Sequence, residues 1–139
     1  MDEKDVGAWL EQDRTTSIAL PEGHLCLGIE SRASGKLIGF LDLSADGQHI
    51  DQVGFSLMIN PSFRGNGYGT EAVRFALVFA CNTLEVRRIA TCVDSRNGAA
   101  QHCLERAGMR REGVFMKDWF LNGEWVNSVW YAFLADDLH

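Results

Sequence analysis

A chain of 139 residues with 46% hydrophobic and 23% charged residues has the size and apolar content of one globular domain, with no room for a second. Its net charge of −6 argues against a nucleic-acid surface, which needs a stripe of lysine and arginine. No apolar run reaches the length of a membrane-spanning helix, and the start Met1-Asp2-Glu3-Lys4-Asp5 is acidic where a signal peptide would be basic, so a soluble cytoplasmic protein is expected.

Taken in chain order, Val6, Trp9 and Leu10 recur at helical spacing after an acidic first turn, which predicts a short amphipathic helix over Asp5 to Gln12. Thr15 to Gly23 reads as a loop. Three apolar runs follow, His24 to Glu30, Leu37 to Leu43 and Ile50 to Ile59, separated by turn-sized gaps such as Ser-Arg-Ala-Ser-Gly, and together they predict an antiparallel meander. A stretch apolar around most of its circumference, Thr70 to Leu84, predicts a well-buried helix. Arg88 to Val93 reads as a strand. Asn97 then caps a helix that runs through Ala107, with Ala100, Cys103, Leu104 and Ala107 along one stripe and Gly108 as its stop. Val114 to Leu121 and Trp125 to Leu134, joined through Asn122-Gly123, predict a closing hairpin. The expected class is α+β, with a mixed, mostly antiparallel sheet flanked by helices and one strand–glycine loop–helix–strand parallel crossover.

Cys26, Cys81, Cys92 and Cys103 show neither C-x-x-C spacing nor the clustering of a disulfide framework, so they are expected as buried, reduced, small hydrophobes. The four histidines have no metal-ligand spacing, and no metal is expected. The acidic excess lies wholly upstream: residues 1–63 hold four Lys/Arg against ten Asp/Glu, whereas residues 64–139 hold nine of each. An anionic ligand in the second half and a cationic partner near the first would suit that division, as would ordinary solvated carboxylates.

The segment Arg64-Gly65-Asn66-Gly67-Tyr68-Gly69-Thr70, between a strand and a helix, carries the chemistry. Glycines let the backbone take positive φ and approach a ligand closely, and the first N–H groups of the helix lack intrahelical partners. Those donors, the helix dipole and Arg64 make a seat for phosphate. A P-loop would need Gly-Lys-Ser/Thr, but Gly69 is followed by Thr70 and Glu71. A dinucleotide fingerprint would need G-x-G-x-x-G after the first strand of a parallel sheet, and neither the spacing nor the position fits.

Three stretches resemble the GCN5-related N-acetyltransferase (GNAT) superfamily, and more narrowly its branch that acetylates ribosomal-protein N-termini. They are Asp51 to Pro61 leading into Arg64 to Ala72, Asp94-Ser95-Arg96-Asn97 with Ala100, Leu104 and Ala107-Gly108-Met109, and Glu112-Gly113 with Phe120 to Asn127 and Trp130-Tyr131. They cover about two-thirds of the chain. The resemblance implies transfer of acetyl from acetyl-CoA to a primary amine. By position, the backbone of Leu57, Met58 and Ile59 would hold the pantetheine amides, and Met58 would supply an N–H to the thioester oxygen. Gly65, Asn66, Gly67, Tyr68 and Gly69, with Arg64 and Thr70, would take the pyrophosphate, and Asn97 would reach the pantetheine arm.

Two departures bear on mechanism. Leu104 stands where many members have a tyrosine that protonates the departing thiolate, and Asp51-Gln52 replace a glutamate that serves as base; Asp51 is then the first candidate, followed by Glu124 and His49. The branch also has a further strand and helix ahead of the point where this chain begins, which the single domain over residues 1–139 is expected to lack; either the sequence is a shortened form or a homodimer partner fills that gap. An α-amine with pKa ~7.7–8.0 has a substantial neutral fraction near physiological pH whereas a lysine at ~10.4 is mostly protonated, so a site with no evident base suits a protein N-terminal α-amine. Small amines such as polyamines, amino acids or aminoglycosides are the second choice. A non-catalytic acyl-CoA sensor and a domain for another pyrophosphate ligand stay open as rivals.

Overall fold

The computed structural model describes residues 6–10, 18–19, 22–45, 51–65 and 67–138. Strand β1 (Val6–Leu10) runs antiparallel to the long β3 (Glu22–Ser31), and the two-residue β2 (Ile18–Ala19) pairs with the start of β3. β3, β4 (Leu37–Ala45) and β5 (Gln52–Ile59) form the expected antiparallel meander. Helix α1 (Tyr68–Asn82) then crosses over to β6 (Arg88–Asp94), which lies parallel to β5. Helix α2 (Gly98–Arg106) precedes the hairpin of β7 (Arg110–Leu121) and β8 (Glu124–Leu134), and the sheet runs β1-β3-β4-β5-β6-β8-β7.

Strand alternation gives the sheet two unlike faces. One carries Leu25, Leu27 and Ile29 of β3, Leu41 and Leu43 of β4, Val53 and Phe55 of β5, Ile89 of β6 and Val129, Tyr131 and Phe133 of β8, all buried. Helix α1 covers this face with Ala72, Val73, Ala76, Leu77 and Ala80, whose small side chains let the helix lie close to the strands. The opposite face, called here the open face, carries His24, Phe40, Ser44, Ser56, Met58 and Cys92, all exposed.

The helix expected over Asp5 to Gln12 is not formed: Val6–Leu10 is strand β1, in register from Val6 opposite Ser31 to Leu10 opposite Leu27. Gly7 weakens any helix there, and the edge of β3 offers the segment a full ladder of backbone partners, so tertiary pairing overrides local periodicity. Part of the loop expected over Thr15 to Gly23 is β2 and the start of β3, again because β3 supplies partners. The cysteines are reduced as expected, but not deeply buried. Cys26, Cys81 and Cys103 are half-buried and Cys92 is exposed, because alternation turns Cys92 away from the helices.

Candidate active site at a fork in the sheet

β5 and β6 are joined as a ladder only from Gln52 opposite Arg88 to Gly54 opposite Ala90. Beyond that point the strands part, and the Thr91 hydroxyl bridges them by donating 2.7 Å to the Phe55 carbonyl. Above this bridge opens a cleft of about 420 Å³. Phe55, Ser56 and Leu57 line one side and Thr91, Cys92 and Val93 the other. Val73, Ala100, Cys103 and Leu104 bound it toward the helices, and Ser44 and Trp130 bound it toward the open face. The cleft therefore joins the two faces of the sheet through the fork.

The bridge also fixes the backbone directions around it. Phe55 turns its carbonyl toward β6, and the Ile59 carbonyl accepts from Arg64 Nε at 3.3 Å, while the Asn60 N–H turns back to the Ile38 carbonyl of β4. Alternation along β5 accordingly points the N–H and C=O of Leu57 into the fork and those of Met58 toward β4. It is thus the N–H of Leu57, and not that of Met58, that faces the fork. The Met58 side chain is 69% exposed on the open face.

On the helix side, Gly65 and Gly67 have φ of 84° and 79°, the left-handed region in which other residues are strained. Gly67 is the N-cap of α1 and supplies no side-chain cap, so the amides of the first turn point out of the helix end. Gly69 has a packing role besides its place in the motif. It lies within α1, and a Cβ there would stand 3.2 Å from Cys103 Sγ, so its bareness lets α2 approach. Thr70 Oγ1 donates to the same sulfur at 3.5 Å. Arg64 is steadied beside the loop by its bond to Ile59, and Tyr68 is buried with its hydroxyl 3.4 Å from Ser31 Oγ. Asn66 lies outside the described residues.

Asn97 caps α2 as expected, its Oδ1 accepting from the Ala100 N–H at 3.0 Å. Asp51 is not brought to the cleft: it precedes β5 at the closed end of the fork, 2.9 Å from Arg87 Nε. Six residues of extended strand separate it from Leu57, a span of roughly 20 Å. Glu124 is bound to Arg96 at 2.7 Å, and the same guanidinium holds Asp94, whose carboxyl it keeps below the usual aspartate range. His49 lies outside the described residues. At the position of the family tyrosine, Leu104 is buried and apolar. Tyr131, opposite Thr91 on β8, gives its hydroxyl to Glu105 Oε1 at 2.7 Å, and burial together with that carboxylate pushes its pKa to about 12.

A strand that forks from its parallel neighbour beside an uncapped, glycine-led helix is matched by family-level similarity: residues 1–110 fit the family model described as Acetyltransferase (GNAT) domain. The chain belongs to the GNAT acetyltransferases. Among curated relatives, the Probable N-acetyltransferase YjcK of Bacillus subtilis is 32% identical over 111 residues, 79% of this chain and 61% of that protein. The Spermidine N(1)-acetyltransferase of Escherichia coli is 26% identical over 95 residues, 68% and 51% respectively. The Putative ribosomal N-acetyltransferase YdaF of Bacillus subtilis is 30% identical over 104 residues, 72% and 55%. The chain thus spans about half to three-fifths of the length of these relatives. Its fold matches the spermidine N-acetyltransferase from Vibrio cholerae solved with CoA and spermine, with a TM-score of 0.75 at 24% identity over 81% of this chain and 66% of that one. It also matches a GNAT-family acetyltransferase from Bacillus anthracis, with a TM-score of 0.75 at 23% identity over 81% and 67%.

Several cleft residues of this GNAT domain were given no role in the sequence reading. Ser44, Ser56, Thr91, Cys92 and Trp130 line the cleft because of strand parity and because β6 diverges from β5. Strand alternation assigns Ser44, Ser56, Cys92 and Trp130 to the open face and Thr91 to the other, but it could not have shown that a fork opens between them. Among the described residues no group of three His, Cys, Asp or Glu is placed to hold a metal ion, and no helix is long and apolar enough to cross a membrane.

Proposed function

We propose that the domain transfers an acetyl group from acetyl-CoA to a primary amine by direct attack on the thioester. The observation that carries this reading is the cleft through the β5–β6 fork, with an uncapped helix N-terminus at its helix side and an open sheet face at the other. The amides of residues 68–70, with Arg64, bind the pyrophosphate, and the pantetheine arm lies along Leu57 and Ile59 toward Asn97. The Leu57 N–H polarises the thioester carbonyl. The amine enters from the open face, its nitrogen bonds to the carbonyl carbon, and the C–S bond then breaks to release CoA. The ammonium proton leaves to solvent, and a solvent proton meets the thiolate, since Leu104 supplies none. The protein works in the cytoplasm, where acetyl-CoA is at hand and free thiols such as these four cysteines stay reduced.

For the acceptor, the protein N-terminal α-amine remains consistent with a cleft lined, among the described residues, by no carboxylate or histidine. Relatives named for spermidine favour a small di- or polyamine, and we place that first. Thiol release from acetyl-CoA across polyamines, peptide N-termini and aminoglycosides tests the reading. CoA binding without thiol release from any amine would leave a sensor instead of an enzyme. We also propose that the domain pairs with a second copy through the closing hairpin, where Trp119, Phe120 and Trp125 are 61%, 58% and 60% exposed.

A further inference from the structure

Resting on the proposed acetyl transfer and deepening it, we infer that Asp118 is the proton acceptor of the reaction, a carboxylate swung over the open mouth of the cleft by a bulge in β7. Direct attack by an amine leaves a surplus proton on the nitrogen that has joined the carbonyl carbon, and the amide is complete only when that proton has gone. Nothing in the lining is suited to take it. The hydroxyls of Ser44, Ser56 and Thr91 and the indole of Trp130 are not bases at neutral pH. A carboxylate has to reach in from beyond the lining.

Most carboxylates beside the fork are already answered within the chain. Asp51 is held by Arg87 at 2.9 Å, Asp94 and Glu124 by Arg96 at 2.8 and 2.7 Å, and Glu112 by Arg88 at 2.6 Å. Asp42 lies 3.1 Å from His24 Nε2. Asp118 is exposed and, among the described residues, has neither an ion pair nor a hydrogen bond.

Register shows how β7 delivers it. Phe115 stands opposite Ser128 and Trp119 opposite Val126, so Met116, Lys117 and Asp118 together face the single residue Asn127 of β8. The surplus is taken up in a bulge, where Lys117 sits at a φ of 47° and its N–H is fixed by Asn127 Oδ1 at 2.7 Å. Such bulges re-aim side chains at the edges of sheets. Two observations give the direction. The Phe115 ring, at the start of the bulge, packs on Trp130 of the cleft with centroids 5.4 Å apart. Cys92, opposite Trp130 on the open face, has its thiol pushed up by partial burial and then by the negative charge of Asp118. A carboxylate whose field reaches Cys92 stands on the side from which the amine enters.

The step balances within the proposed reaction. The nitrogen lone pair bonds to the carbonyl carbon, and a proton then passes from nitrogen to an oxygen of Asp118, directly or through one water, while the N–H electron pair stays on nitrogen. Nitrogen joined to that carbon is far more acidic than a free ammonium, so a carboxylate can take its proton. Exposure lets the carboxyl return the proton to solvent.

Thiol release at saturating acetyl-CoA, with spermidine, n-butylamine or an alanyl peptide as acceptor, tests the assignment in the wild type, Asp118→Asn and Asp118→Ala. CoA affinity by calorimetry is the check on folding. Both variants are expected to lose kcat by about a hundredfold with CoA affinity unchanged, and added formate, a carboxylate small enough for the vacated space, is expected to raise the kcat of Asp118→Ala by about tenfold while leaving the wild type as it was. A purely structural role would show no such rescue. A fall of less than about threefold, a loss that formate does not restore, or a loss shared by CoA affinity overturns the role of Asp118 and leaves acetyl transfer standing. Absence of thiol release by the wild type from every amine overturns both.

Discussion

Gly67 holds φ at 79° at the point where the first-turn amides of α1 must stay uncovered, so a side chain there is penalised twice, by backbone strain of ~1–2 kcal/mol and by filling the space above the donors. Gly67→Val is expected to raise the CoA dissociation constant by more than tenfold while the far-ultraviolet circular dichroism stays that of the wild type; titration calorimetry reads the first quantity. Asp51 offers the opposite case. Its carboxylate is engaged by Arg87 at the closed end of the fork, and it was legible in sequence only by its place one residue from a family position. Asp51→Asn is therefore expected to leave turnover within about twofold and its pH profile unshifted, as befits a partly exposed ion pair. A tenfold fall in kcat with unchanged KM would return Asp51 to the chemistry.

At the scale of elements, the crossover β5–α1–β6 makes the site, and the Thr91–Phe55 bridge marks where the ladder gives way to the cleft. Thr91→Val keeps shape but leaves a buried carbonyl without a donor, at a cost of about 1–3 kcal/mol. Chemical denaturation should read that loss, and acetyl-CoA affinity should fall with it as the fork loses its fixed width. The elements that announced themselves in sequence did so through local chemistry. Asn97 ahead of a helix, Gly108 after it and Asn122-Gly123 in a hairpin each act within a few residues, and all three appear in the structure, with φ of 102° at Gly108 and of 50° and 83° at the hairpin pair. Val6–Leu10 failed as a helix because its partner β3 lies far along the chain, beyond the reach of any local pattern.

For the molecule as a whole, the sheet is tied across β8 by Arg88 of β6 and Glu112 of β7, paired through two bonds of 2.8 and 2.6 Å. Arg88 holds the Glu112 carboxyl below its ordinary range. A carboxyl depressed in the folded state binds protons more readily when unfolded, so its contribution is present above the ordinary glutamate range and is lost as pH falls through the folded value. The melting temperature of Glu112→Gln should therefore lie modestly below that of the wild type near pH 7, with the gap closing on acidification. A gap that widened in acid would reverse the assignment. Sedimentation addresses the assembly: the wild type is expected to associate, and the pair Trp119→Ser with Phe120→Ser is expected to sediment as a monomer with CoA affinity intact.

The sequence by itself determined the class of fold, the strand–glycine loop–helix crossover and the family, because each is written in residues close together in the chain whose backbone demands are local. The parting of β5 from β6, the turn of the Leu57 backbone into the gap and the placing of Asp51 at the closed end of the fork were decided by tertiary structure. Those outcomes depend on which strands lie side by side and in what register, and that pairing is settled by packing between segments distant in the chain.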